Sequence, residues 1–495
     1  MISEALQKAR DYEAANGPLV PEHTRPVFHF TPDIGWLNDP NGFSVYRGEY
    51  HLFYQYHPFS SMWGPMHWGH AKTRDFLSWD RLGAALAPDS DYDLDGCWSG
   101  SAAEMDDGRQ LLLYTGRRTR EDGNTYQTQC LAVGDGRDYE KYAGNPVLTG
   151  ADLPEGCSPY DFREPKLWRE ADGSFRAVAV AMAEDGDGAA LLFSSPDGFA
   201  WRFERVLDRS RNEYGTMWEC PDFFPLDGKQ ALLVSPMAVQ PREPDFHGGF
   251  GAIALLGQYS GGAFTRETVQ TLDHGPDFYA AQTLETPDGR RILIAWMQNW
   301  DSAKVQPDER LCYAGFTVPR ELSIRDGRLI QKPVRELDGW HGEPVVCQDV
   351  EIAGETALDG VRGRVLDLSV AVRPTAENRR FRISIASDGT RRTTLDYFPE
   401  RGMVRVERDR DGAPAGVDHA REFAVQPKDG ALRLRLVLDR RSLELFVNGG
   451  EQAATFLLYT PESAEGILFE AEGGPVRADV TLWPVKKPCG HPREG

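Results

Sequence analysis

Gly35-Trp36-Leu37-Asn38-Asp39-Pro40-Asn41-Gly42 sets a carboxylate between two Asn amides, a proline and two glycines, directly behind an aromatic ring. Glycine and proline pre-set a tight backbone there. Trp36 offers a flat apolar face of the kind sugars lie on, and the amides supply donors and acceptors. Alone, the stretch has two readings: Asp39 is a nucleophile, or an Asx-turn residue that stabilises its own loop. The chain on either side decides between them.

Downstream, from Phe43 to about Ile330, short alternating segments are broken by Asp-Gly pairs at 107, 122, 135, 172, 185, 197, 227, 288 and 326, each a hairpin signal. Glu49 to Tyr56 alternates aromatic and polar residues. Leu111–Tyr114, Leu191–Phe193, Ala231–Val234 and Ile292–Trp296 read as buried strands. No helix interrupts them. So many strands must hide their edges, and blades arranged around an axis do so; a large barrel is the alternative. The blade count is not legible from periodicity. Upstream, Ser3 to Ala15 reads as a short helix with Ser3 as N-cap, followed by an extended lead-in. Beyond Gly342, strands such as Arg380–Ile385, Leu432–Leu438 and Ser442–Asn448 have the rhythm of a β-sandwich with a packing role. The expected organisation is a lead-in over 1–25, a propeller over 26–338, a sandwich over 339–485 and a frayed tail over 486–495.

With 495 residues, 40% hydrophobic and 26% charged, the chain has the composition of an ordinary globular protein of two domains. Its formal net charge of -21 argues against nucleic acid or an anionic membrane as partner. No apolar run approaches a membrane span, and the first residues lack the apolar core of a secretory signal. Cysteines 97, 130, 157, 220, 312, 347 and 489 are odd in number, scattered and without CxxC spacing, which fits a reducing, cytoplasmic location.

Two further stretches share the character of the first. Asp161-Phe162-Arg163-Glu164-Pro165 sets carboxylates beside a guanidinium and before a proline, and Trp218-Glu219-Cys220-Pro221 sets one between Trp and Cys. If these points converge at one end of a propeller axis, they form a pocket of carboxyl groups with an aromatic wall. Cleaving a glycosidic bond needs two carboxyl groups in different protonation states. Glu219, between Trp218 and Cys220, reads as the protonated acid; Asp39, among amides and backbone N–H groups, reads as the ionised nucleophile.

On these residues the chain resembles glycoside hydrolase family 32, the β-fructofuranosidases. The family's WxNDPNG, RDP and EC signatures appear as Trp36 to Gly42, Arg163-Glu164-Pro165 and Glu219-Cys220. Phe53-Tyr54-Gln55, Trp63 to Ala71, Trp98 to Ser101, Asp277 to Gln282, Trp296-Met297, Pro319 to Leu322 and Pro333 to Leu337 match in the family's order, so the likeness runs from about Pro26 to Trp483. The resemblance implies a five-bladed β-propeller followed by a β-sandwich, and a retaining mechanism without metal or other cofactor. Asp39 would attack the fructosyl carbon and Glu219 would act as acid and base. Asn38, Gln55, Trp63, Trp98, Ser99, Arg163, Tyr279 and Trp296 would line the sugar site.

One position departs from the pattern. Glu164 stands where the family has an Asp that stabilises the transition state. The extra methylene displaces the carboxylate by roughly an ångström, a shift that can cost on the order of a hundredfold in rate, so the sequence predicts a weakened or retuned hydrolase. The substrate is sucrose, sucrose 6-phosphate or a fructan, the phosphate reading drawing on Arg117, Arg118 and Arg120; a fructoside-binding protein with little turnover is the alternative of another class. The sandwich supplies a candidate dimer face. Asp91-x-Asp93-x-Asp95-Gly96 imitates a calcium loop, but position twelve is Ala102, so a solvated acidic loop is expected. His67 and His70 lack a third ligand and read as strand residues.

Overall fold

The computed structural model describes residues 2–303, 312–414 and 416–487. The expected tail lies, from residue 488 on and including Cys489, outside the described residues. Ser3 caps the helix Glu4–Asn16, accepting from the Leu6 N–H at 3.2 Å, as its sequence predicts. Leu6, Ala9 and Glu13 are its buried residues, and the Glu13 carboxylate accepts from the Ala84 N–H at 2.9 Å on the first blade.

Five antiparallel sheets follow, each of four strands in sequence order. Their innermost strands are Gly35–Tyr46, Gly96–Glu104, Cys157–Arg169, Trp218–Leu226 and Tyr279–Glu285. The two-residue strand Cys312–Tyr313 pairs in parallel with Gly35 and Trp36, tying the chain after the fifth blade's second strand to the first blade. The fold is therefore a five-bladed propeller, not a barrel. Its second and third strands are packed on both faces by neighbouring blades, which explains unbroken apolar runs such as Leu111–Leu113 and Leu191–Phe193, all fully buried. Every Asp-Gly glycine picked out in the sequence has a positive φ, between 74° and 97°, the conformation for which glycine is suited.

The inner strand of each blade is the edge of its sheet, except at Gly35 and Trp36 of the first, which pair with Cys312–Tyr313. Proline removes no ladder bond on an edge, so Pro40, Pro165 and Pro221 are tolerated there. Each inner strand also carries a register shift: Leu37 to Pro40 and Asn41 to Ser44, Trp98 to Gly100, Arg163 to Lys166, Glu219 to Asp222, and Tyr279 to Gln282. Gly42, Glu164, Cys220 and Ala280 take φ between 49° and 63° inside or beside these shifts. At Gly42 a Cβ would lie 2.5 Å from the Phe53 ring, so glycine is required. Bulges re-aim side chains, and here they aim one or two residues per blade at the axis.

The C-terminal part takes the sandwich form by curling a single ten-stranded sheet onto itself. The strand Gly466–Pro484 pairs with Arg380–Ser387 through its first half and with Leu366–Arg373 through its second. Gly473, at φ 92° and packed against the Glu377 carbonyl, marks the turn between the halves. The enclosed core runs from Ile352 to Leu482. Propeller and curled sheet meet through buried charges. Arg320 pairs with Glu444 at 2.6 Å and Asp273 at 2.9 Å, His29 lies 2.9 Å from both Asp439 and Glu444, and Arg408 pairs with Asp277. Among the described residues no helix is long and apolar enough to cross a membrane.

Candidate active site

Asp39, Ser99, Glu219 and Tyr279 lie near the starts of their inner strands, and the bulges turn them towards one end of the axis. Asp39 is buried and its Oδ2 accepts from Ser99 Oγ at 2.7 Å, a tie from the second blade to the first. Asn38 accepts from the Trp36 indole N–H at 2.7 Å, and Gln55 donates to the Cys97 carbonyl at 2.9 Å. Arg163, fully buried on the third blade, donates from Nη2 (2.9 Å) and Nε (3.2 Å) to Glu219 Oε1 on the fourth. The Tyr279 hydroxyl, on the fifth blade, donates to Glu219 Oε2 at 2.7 Å and lies 2.9 Å from the Ser235 carbonyl.

Glu164 is held from three sides. Its N–H donates to Thr115 Oγ1 at 2.8 Å, Arg163 Nε lies 3.5 Å from Oε1, and Oε2 accepts the Cys220 N–H across the blade gap. The extra methylene is thus taken up by a bond to the fourth blade. One carboxyl oxygen each of Asp39 and Glu164, and the Cys220 sulfur, lie within 4.8 Å of one another. That set could hold a metal only as a thiolate, and burial, followed by the charges of Glu164 and Asp39, pushes the Cys220 thiol well up, away from the ligating form. The cluster is better suited to sharing protons.

Burial pushes Asp39 up to about 6, against the hydrogen bonds of Ser99 and Asn38 and with the Glu219 charge adding to the rise. Desolvation thus outweighs the amide surroundings, yet a carboxyl at about 6 is still ionised at neutral pH. Glu164 is raised too, first by burial and then by the Glu219 charge, with Arg163 opposing. The residues next to Glu219 in sequence are not its partners in space. Trp218 turns into the core between the third and fourth blades, the bulge keeps Cys220 beside Asp39 and Glu164, and the carboxylate meets Arg163 and Tyr279.

Two tryptophans are likewise corrected. Trp36 is 1% exposed, packed against Trp296 and Trp300, so it is no platform for a sugar but holds Asn38. Trp296 is fully buried in the same cluster and supports Trp36. Trp63 is 42% exposed on the loop between Glu49–His57 and His67–Thr73, and Met66 of that loop binds the Cys97 N–H at 2.8 Å, stapling it beside Trp98. Sequence reasoning missed Thr115, Gln127 and Ser235, which hold Glu164, Arg163 and Tyr279 from the second and third strands of their blades. They sit in plain strand sequence, and only sheet register brings them in.

The remaining acidic and imidazole candidates are structural. Asp93 is fully buried and paired with Lys141 at 2.6 Å, which corrects the solvated-loop reading: an internal ammonium takes the place of solvent. His70 stacks on Phe53 and faces His51 Nδ1 at 2.9 Å, within the strand His67–Thr73.

The chain matches the models of the glycosyl hydrolases family 32 N-terminal domain over residues 29–333 and of the family 32 C-terminal domain over 342–484. It is 38% identical to a raffinose invertase of Escherichia coli, over 92% of this chain and 94% of that one. It is 34% identical to a sucrose-6-phosphate hydrolase of Zymomonas mobilis, over 97% and 96%. Among solved structures, a Bombyx mori family 32 β-fructofuranosidase in complex with sucrose superposes with a TM-score of 0.84 at 30% identity, over 98% of this chain and 99% of that one. The chain belongs to glycosyl hydrolase family 32 and is a glycoside hydrolase of the β-fructofuranosidase type.

Proposed function

We propose that this enzyme cleaves the β-fructofuranosyl bond of sucrose-type substrates with retention. Asp39 attacks the anomeric carbon of the fructosyl unit, Glu219 protonates the departing oxygen and then activates water, and Glu164 steadies the fructosyl hydroxyls as charge develops. The observation that carries this reading is the convergence of Asp39, Glu164 and Glu219 from three blades on one point, with Arg163 and Tyr279 bonded to Glu219. Asp39 has no cationic partner among the described residues, and Ser99 orients it through one oxygen, leaving the other for bond formation. Arg163 and Tyr279 fix Glu219 in the geometry needed for proton transfer. A raised Glu164 is suited to donating a hydrogen bond to a sugar oxygen while neutral.

The test is methanolysis. With sucrose in aqueous methanol, a retaining enzyme forms methyl β-fructofuranoside. The α anomer overturns the double-displacement reading, and unconsumed sucrose overturns the reading of sucrose as substrate. The described cysteines are all free, which supports a reducing compartment; cell fractionation tests that location.

A further inference from the structure

The N-terminal helix Glu4–Asn16 supplies none of the reacting groups, yet one of its faces rests against a loop that flanks them. Ala5, Lys8 and Tyr12, spaced three and four apart, share that face. Ala5 and Phe59 both pack on the small cluster of Leu6, Ala9, Ala84 and Ala87. The Tyr12 ring meets the Phe59 ring edge-on at 5.1 Å between centroids, and the Lys8 ammonium lies over the same ring at 5.6 Å. The helix is a fixed support. Arg10 Nε donates to the Ala84 carbonyl at 2.8 Å and Arg10 Nη1 pairs with Asp138 at 2.6 Å, beside the Glu13 bond to the Ala84 N–H.

Phe59 belongs to the loop of residues 58–66, between the strands Glu49–His57 and His67–Thr73. Behind it stands His57, with 6.1 Å between ring centroids. His57 in turn holds the residues on both sides of Trp63. Its Nδ1 lies 2.9 Å from the Met62 carbonyl, and Gly64 packs so closely on the imidazole that a Cβ there would overlap it. Both ends of the loop are fixed beside the site. Gly35, which opens the strand of Asp39, lies against the His57 and Pro58 carbonyls with no room for a Cβ. The Met66 carbonyl accepts from the Cys97 N–H, two residues before the Ser99 that is bonded to Asp39. Between these anchors Met62 and Trp63 stand 55% and 42% exposed. Two adjacent large apolar side chains left in solvent on a backbone pinned this closely mark a surface kept for a ligand.

We propose, resting on the β-fructofuranosidase reading above with Trp63 against the sugar, that Tyr12 and Phe59 are positioning residues. Through them the N-terminal helix holds the 58–66 loop so that Trp63 stands ready over the bound sugar. The contacts run in one line, from Tyr12 to Phe59, to His57, to the two neighbours of Trp63. Without the helix face, Phe59 loses its packing partner and the loop samples other conformations, and ordering it again on binding weakens affinity. The reacting carboxyl groups sit on bulges of the inner strands and do not depend on this line, so the effect falls on binding and not on chemistry.

The experiment measures kcat and KM for sucrose, KM being independent of how much of a preparation is folded. Tyr12→Ala and Phe59→Ala are each expected to raise KM about three- to tenfold, the weight of one aromatic contact, while kcat moves less than about twofold. Tyr12→Phe keeps the ring against Phe59 and keeps KM. Tyr12 is half-buried on the helix surface, so Tyr12→Ala carries the test should Phe59→Ala not fold. Trp63→Ala raises KM at least as far, and adding Tyr12→Ala to it raises KM no further, because the helix acts through that side chain. An unchanged KM in Tyr12→Ala or in Trp63→Ala overturns the inference, as does an undiminished effect of Tyr12→Ala in the Trp63→Ala background; sucrose cleavage stands in each case. Failure of the wild type to cleave sucrose overturns both readings.

Discussion

The catalytic end of the propeller and the junction between propeller and curled sheet both bury several charged side chains, and they treat them in opposite ways. At the junction, acids and bases alternate. Burial pushes Asp439 and Glu444 up, but His29 and backbone N–H groups on Asp439, and Arg320 and His29 on Glu444, overcome it and hold both below their ordinary values. Burial pulls His29 down, yet the hydrogen bonds of those two carboxylates raise it to about 9. At the site, three carboxyl groups crowd one guanidinium, and Asp39 and Glu164 rise. Around Asp439, Glu444 and His29 the junction keeps its charges, although burial leaves Asp273 raised there; at the site keeping them costs free energy for both Asp39 and Glu164. That imbalance is what proton-transfer chemistry requires.

Replacing the acid separates the two regions most sharply. Glu219→Gln is expected to lower kcat on sucrose by about a thousandfold or more, since neither leaving-group protonation nor water activation survives, with little change in melting temperature. A residual rate within tenfold of wild type removes Glu219 from the acid/base role. Breaking the junction does the reverse. Glu444→Gln leaves Arg320 and His29 underpaired and buried, and is expected to cost about 3–5 kcal/mol in denaturant unfolding while kcat per folded molecule holds.

The opposite shifts also give opposite pH signatures. Asp439 and Glu444, depressed when folded, add stability above their unfolded values of 3.8 and 4.5, and that stability is lost as pH falls through their folded values. His29 adds stability that is complete below 6.5 and lost as pH rises through about 9. Unfolding followed across pH should therefore show a junction-dependent loss at both extremes, and His29→Gln should flatten the alkaline one. In turnover, the acid limb of kcat/KM should fall off near 6, where free Asp39 takes up its proton. A limb near 4 contradicts the burial argument.

The smallest effect concerns Glu164. Shortened to Asp, the carboxylate no longer reaches the Cys220 N–H, a loss of about 1 kcal/mol in stability. No rate is gained, because Glu164 is built into its place. A clear rise in sucrose turnover for Glu164→Asp would restore the view that the longer side chain weakens the enzyme.

Much of the fold was legible because its punctuation is local. Asp-Gly turns, prolines on edge strands and apolar runs in doubly packed strands each follow from the residue itself. Asp39, Arg163, Glu164 and Glu219 stood out for the same reason, since Pro and Gly flank the bulges that aim them. What each side chain touches was not legible. Trp36 looked like a sugar platform until the fifth blade supplied Trp296 to cover it, and Trp218 looked like part of the surroundings of Glu219 until it packed into the core between blades. The partners that count, Tyr279, Thr115 and Arg163, come from other strands, and no spacing in the chain encodes that register.

The most direct test is Asp39→Asn, measured for both activity and stability. Its folded value of about 6, against an ordinary 3.8, means that ionised Asp39 opposes folding increasingly as pH rises between them, by up to about 3 kcal/mol once both states are ionised. The account predicts that Asp39→Asn abolishes sucrose cleavage and unfolds at a higher temperature than wild type at pH 7.5, with the advantage gone at pH 3.5. Retained turnover, or a variant less stable than wild type at pH 7.5, would contradict it.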